Sequence, residues 1–151
     1  MDHAEKVQAL CEISDMVDRM QPCGSRVTCD PPPMDTDEDY ILFIGDKWPA
    51  GANLDVIPAD EREMKLEMHL RATGWELGGS LPNDIKVEVP SHVKFSSWTK
   101  DELNLIITTS EEFFRRYLAA THIAKQLNLL HKRERIMLFQ AVLYGNIVEP
   151  Y

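Results

Sequence analysis

Apolar residues recur at helical spacing from the start of the chain. Val7, Leu10, Cys11, Ile13, Met16, Val17 and Met20 form one stripe, which predicts a helix over residues 2–20 that Gln21-Pro22 ends. Cys23 to Thr28 reads as a turn, with a short β-prone end at Val27 and Thr28. Pro31-Pro32-Pro33 enforces an extended loop. The apolar run Tyr40–Ile44 predicts a buried strand. Periodicity then fails over residues 45–58, where Gly45-Asp46, Trp48-Pro49 and Gly51 mark a long loop. Ala59–Ala72 predicts a second helix, closed by Gly74. Trp75-Glu76-Leu77 begins another strand, and residues 80–93 read as an irregular insertion with a short strand at Val87-Glu88-Val89. Phe95–Thr99 and Leu103–Thr108 flank Lys100-Asp101-Glu102 as a β-hairpin. Thr109 or Ser110 caps a helix reaching about Asn128, and a last helix follows His131 and stops at Tyr144-Gly145.

That order predicts an α+β fold: a small mixed β-sheet flanked by helices, with a C-terminal helical pair over 110–145. The strands are not separated by regular crossover helices, which argues against a doubly wound sheet. A length of 151 residues suits a single domain over 1–151 with a core of its own.

Composition narrows the function classes. An apolar content of 44% and a charged content of 27% read as a soluble globular chain. The net charge of −9 argues against a broad electrostatic grip on long nucleic acid and favours a small ligand or a local basic patch. No apolar run approaches the ~18–20 residues that span a bilayer, so no membrane partner is expected. Met1-Asp2-His3-Ala4-Glu5 lacks a signal-peptide pattern, and Cys11, Cys23 and Cys29 form no disulfide framework, so the expected location is the cytoplasm. Cys23 and Cys29 have no second Cys/His pair at zinc spacing.

The candidate chemistry lies between residues 23 and 40. Cys23-Gly24-Ser25 supplies a small-residue turn, and Asp37-Glu38-Asp39-Tyr40 leads into the first strand. On a strand, positions i and i+2 share a face, so Asp37 and Asp39 project together and present oxygen donors to a divalent metal. Glycine lets a phosphate approach the backbone, and serine adds a hydroxyl and an N–H. The same segments also suit a solvated loop and an ordinary turn.

The combination of an apolar residue, Gly24-Ser25, a spacer and Asp37-x-Asp39 at a strand resembles the nucleotidyltransferase superfamily that includes DNA polymerase beta. The motif-bearing part spans 20–110. The chain is also similar in style to small nucleotidyltransferase-like proteins encoded by bacteriophages. The resemblance implies that Gly24 and Ser25 orient a nucleoside triphosphate and that Asp37 and Asp39 hold two Mg2+ ions. It also implies that a third carboxylate on a neighbouring strand completes the site, and that a nucleoside monophosphate passes to a hydroxyl acceptor.

The third position departs from that pattern. An apolar–acid–apolar triplet is expected where the chain reads Leu103-Asn104-Leu105. Asn104 can ligate through its carbonyl oxygen but cannot act as a general base. Glu102, two residues earlier, is expected on the same strand face as a substitute, or else in an exposed turn. Arg26 and Lys125 are further candidates for phosphate contact. Arg115-Arg116 read as solvated helix charge, and so by default do Lys132, Arg133 and Arg135, although cations at a helix start oppose the dipole and so also suit a partner or a phosphate. Trp48, Trp75 and Trp98 and the histidine His122 read as core residues, although Trp98 is placed to stack on a base. Two further functions stay open. One is a catalytically degenerate module that binds nucleotide or a protein partner, as a phage regulator or an antitoxin would. The other is an interaction domain whose terminal helices support a homo-oligomer.

Overall fold

The computed structural model describes residues 1–33, 37–49, 55–78 and 90–145. Among the described residues five helices and five strands alternate irregularly, and the fold is α+β with a mixed sheet. The elements in order are α1 (His3–Ser14), β1 (Arg19–Cys23), α2 (Ser25–Thr28), β2 (Glu38–Phe43) and α3 (Ala59–Ala72). They are followed by β3 (Glu76–Leu77), β4 (Ser96–Lys100), β5 (Leu103–Thr108), α4 (Glu111–Leu127) and α5 (Lys132–Tyr144). The sheet order is β1-β2-β5-β4-β3, with the central pair β2 and β5 parallel and the other pairs antiparallel.

Strand alternation divides the core in two. Leu42, Trp98, Leu103, Leu105 and Ile107 face Ile13 of α1 and Leu66 and Leu70 of α3. Ile41 faces the other way, toward Phe113 and Phe114 of α4 and Leu143 of α5. Ser110 starts α4 by accepting a hydrogen bond from the Phe113 N–H, and Asn128 ends it in the left-handed conformation at φ 48°.

The first helix is shorter than its stripe predicts. Asp15 caps it, and Met20 belongs instead to strand β1. Pro22 sits inside that strand because β1 lies at the sheet edge, where a missing N–H costs least. Cys23–Thr28 carries a single helical turn rather than β structure: the N–H groups of Val27 and Thr28 both donate to the Gly24 carbonyl. Trp75 and Trp98 are core residues, but Trp48 is 62% exposed and His122 lies on the exposed side of α4. Trp98 packs on the α1/α3 face of the sheet, with its indole N–H donating to Ser96 Oγ, and so does not stack in the site described below. The expected strand at Val87-Glu88-Val89 lies outside the described residues. No helix among them is long and apolar enough to cross a membrane.

Candidate functional site

The C-terminal end of β1 and the N-terminal ends of β2 and β5 meet at one corner of the sheet. Register places Cys23 beside Asp39, and Asp39 beside Asn104. The chain leaves β1 at Gly24, whose φ of 79° is a conformation that L side chains rarely adopt. A Cβ at this position would stand 1.9 Å from Asp39 Oδ2. Only glycine allows the turn to pass so close to that carboxylate. Ser25 then opens α2, and its carbonyl accepts from Cys29 N–H.

Asp39 points to the α4 side of the sheet, on the face that also carries Cys23 and Ile41. Asn104 Nδ2 donates to Asp39 Oδ1 at 3.0 Å, and Ser97 Oγ donates to Asn104 Oδ1 at 3.1 Å. Burial pushes the Asp39 carboxyl above the usual carboxylate range. The Asn104 hydrogen bond opposes that rise, the Asp37 charge adds to it and the Arg26 charge opposes it. Asp37 itself is exposed, one residue before β2 begins. Behind Asp39, burial pushes up both the Cys23 thiol and the Tyr117 hydroxyl, and the Asp39 charge adds to each. Neither group is therefore an anion at neutral pH.

The structure brings Gly24, Ser25, Asp37, Asp39 and Asn104 together. Arg26 borders the same corner, where it donates to Glu38 Oε1 at 3.1 Å. Of the two placements expected for Glu102, the turn is the one observed: Glu102 precedes β5 in the turn with Asp101, so the strand alternation that would put it on the Asn104 face does not reach it. The Glu102 carboxylate pairs with Lys6 at 2.9 Å, alongside Glu38, on the α1 side of the sheet. Lys6 holds the Glu102 carboxyl below its usual range. Lys125 is exposed in the last turn of α4.

A cavity of about 370 Å³ opens directly from Gly24 and Ser25. Its walls include Phe95, Phe113, Tyr117 and Phe139, and its cations are Lys132 and Arg135 of α5 rather than Lys125. Arg135 Nη1 also donates to the carbonyls of Leu129 and Leu130, both at 2.8 Å, and to Cys29 Sγ at 3.2 Å, which holds the α4–α5 connection against the end of α2. Solvated charge, the default reading of residues 132–135, does not describe Lys132 and Arg135, which line the cavity; their place at a helix start, against the dipole, was the signal for the alternative. Ser97 was missed as well, although its alternation with the buried Trp98 puts a polar side chain on the Asn104 face.

Two acidic side chains and one amide make up the oxygen donors of this corner. Among the described residues, no cluster of three or more His, Cys, Asp or Glu side chains is arranged to hold a metal. Asp39 nevertheless fits a hard divalent cation, because burial and the Asp37 charge both disfavour its lone negative charge.

No family model matches the chain, and no curated protein matches it. Among solved structures it is similar to terminal uridylyl transferase 4 from Trypanosoma brucei with bound UTP and UpU. That similarity has a TM-score of 0.45 and 12% identity, and it covers 83% of this chain and 39% of the other.

Proposed function

We propose that this protein binds a nucleoside triphosphate with magnesium at the Gly24–Asp39 corner and transfers the nucleotidyl group to a hydroxyl acceptor. The observation that carries this reading is the contact between the Gly24 turn and the Asp39 carboxylate. A backbone turn bare of side chain, pressed against a half-buried acid, suits a site that phosphate and metal share. In this reading Gly24 and Ser25 present backbone and hydroxyl donors to the phosphates, and Asp37 and Asp39 hold the metal. The aromatic cavity receives the nucleoside, with Lys132 at its wall balancing phosphate charge.

Magnesium, when bound, supplies the positive charge that offsets the triphosphate and the leaving pyrophosphate. The acceptor oxygen bonds to the α-phosphorus, the bond from that phosphorus to the pyrophosphate oxygen breaks, and the hydroxyl proton goes to a carboxylate. Asn104 cannot take that proton. Asp37, the exposed carboxylate of the pair, takes it and releases it to solvent.

A second reading is favoured by a specific observation. The third position is a neutral amide, and Glu102, the expected substitute, is held by Lys6 on the other side of the sheet. A chain so built can hold nucleotide without transferring it. The test is a titration of each ribonucleoside triphosphate with magnesium, following heat and pyrophosphate together across a panel of hydroxyl acceptors. Binding with release supports the transferase. Binding without release under every acceptor supports the degenerate module, and no binding removes both readings.

A further inference from the structure

We infer that Asn104 makes this corner a single-ion site, in which the amide fixes Asp39 instead of ligating a second metal. The inference rests on the nucleotide-site reading above and specifies its metal content.

An ionised carboxylate can only accept hydrogen bonds, so the group that Asn104 turns to Asp39 must be its NH2. The contact is 3.0 Å. Turning the NH2 to Asp39 points the carbonyl oxygen, the one atom of the amide able to ligate magnesium, the opposite way. There it accepts the Ser97 hydroxyl at 3.1 Å. Ser97 and Asp39 thus lock the amide from both sides, and each partner satisfies one end of it. Asp39 Oδ1 is engaged by the amide, while Oδ2 faces the Gly24 turn. The oxygens left to a cation are those of Asp37 and the Gly24 side of Asp39.

Among the described residues, neither neighbouring glutamate makes good the loss. Glu38 lies between the two aspartates in sequence but turns to the α1 side, where Lys6 pairs with it and Arg26 reaches it from the corner. Glu102 is held on that side too. Paired metal sites of phosphoryl-transfer enzymes place their ions ~3.5–4 Å apart, and carboxylates that bridge or flank both ions hold them there. An amide nitrogen directed into that space repels a second cation. Asn104→Asp replaces it by a carboxylate about 3 Å from Asp39, a juxtaposition that a cation relieves.

The experiment is electron paramagnetic resonance of Mn2+ on the full chain with a non-hydrolysable nucleoside triphosphate analogue. Asp39→Asn serves as the control for site occupancy. The expected wild-type signal is an uncoupled, mononuclear Mn2+ that is retained with the protein and lost in Asp39→Asn. The expected Asn104→Asp signal is a spin-coupled pair, together with a melting temperature that falls without metal and recovers with it. A coupled pair in the wild type overturns the inference and leaves the nucleotide reading standing. So does a mononuclear signal in folded, Mn2+-loaded Asn104→Asp. Failure of the wild type to retain either Mn2+ or the analogue overturns the nucleotide reading itself. The wild-type spectrum is decisive even where Asn104→Asp does not fold.

Discussion

Asp39 and Gly24 stand against each other in a way that stability alone does not require. Strand β2 could end on any polar residue, yet it places a half-buried carboxylate where burial raises its proton affinity. Gly24 must then be glycine for two reasons, its positive φ and the 1.9 Å a Cβ would leave to Asp39 Oδ2. Gly24→Ala is expected to destabilise the fold by about 1–3 kcal/mol through backbone strain, since the Cβ must also push the carboxylate aside. It is also expected to weaken magnesium-dependent nucleotide binding about tenfold or more, the factor that corresponds to ~1.4 kcal/mol. Thermal melts and calorimetry on the same preparation check both effects. Asn104 was legible as the odd member of Leu103-Asn104-Leu105, and register confirms that it adjoins Asp39. For Glu102 the sequence left two placements, the Asn104 face and the turn, and the turn is the observed one because β5 begins only at Leu103.

Among the elements, the helices that follow the sheet organise the site as much as the strands do. Asn128 clamps the loop after α2 with two hydrogen bonds. It accepts from Asp30 N–H at 2.9 Å and donates to the Asp30 carbonyl at 3.1 Å. Asn128→Ala removes both and leaves an alanine in a left-handed conformation. The expected loss is about 2 kcal/mol, with Asn128→Gly costing less because glycine keeps the backbone geometry. Chemical denaturation of the three proteins checks the order. The loop after β2 is anchored differently. Gly45 N–H and Arg62 both donate to Asp18, at 2.6 Å and 3.0 Å. Burial works against the Asp18 carboxylate, but Arg62 and Gly45 outweigh it and hold the group below its ordinary value of 3.8.

A carboxyl whose folded value is depressed contributes stability above its unfolded value and loses it as pH falls through the folded one. Asp18→Asn is therefore expected to lower the melting temperature at pH 7. The difference from wild type should vanish progressively below about pH 3.8 in a melting series against pH. Strands β2, β4 and β5 and helices α3, α4 and α5 were readable from periodicity and caps. The end of α1 was not, since Met16 and Met20 continue its stripe by coincidence while packing against the core from outside the helix. The cavity was beyond sequence reading for a different reason: it joins residues 24–28 to residues 132–144, and that meeting is set by how α5 packs on α4.

Across the whole molecule, the sheet separates the face packed on α1 and α3 from the face that carries the candidate site. The α1/α3 face holds the larger apolar cluster and the Lys6–Glu38–Glu102 ion network. The α4/α5 face holds Asp39, Asn104, the aromatic cavity and its two cations. In a chain of net charge −9, Arg26, Lys132 and Arg135 lie about the Gly24 turn. That concentration suits a compact anion better than an extended polyanion.

If the Gly24–Asp39 corner is a magnesium–nucleotide site, Asp39→Asn moves stability and binding in opposite directions when both are measured on the same protein. The Asp39 carboxyl is raised in the folded state, so folding favours its protonated form. Its unfavourable contribution is absent below the unfolded value and grows as pH rises through the folded one. The neutral variant is therefore expected to melt higher than the wild type at pH 7 while losing magnesium-dependent triphosphate binding in calorimetry. A residue kept for function at a cost in stability gives that pair of results. Unchanged nucleotide binding in Asp39→Asn, or a wild type that binds no triphosphate with magnesium, would contradict the account.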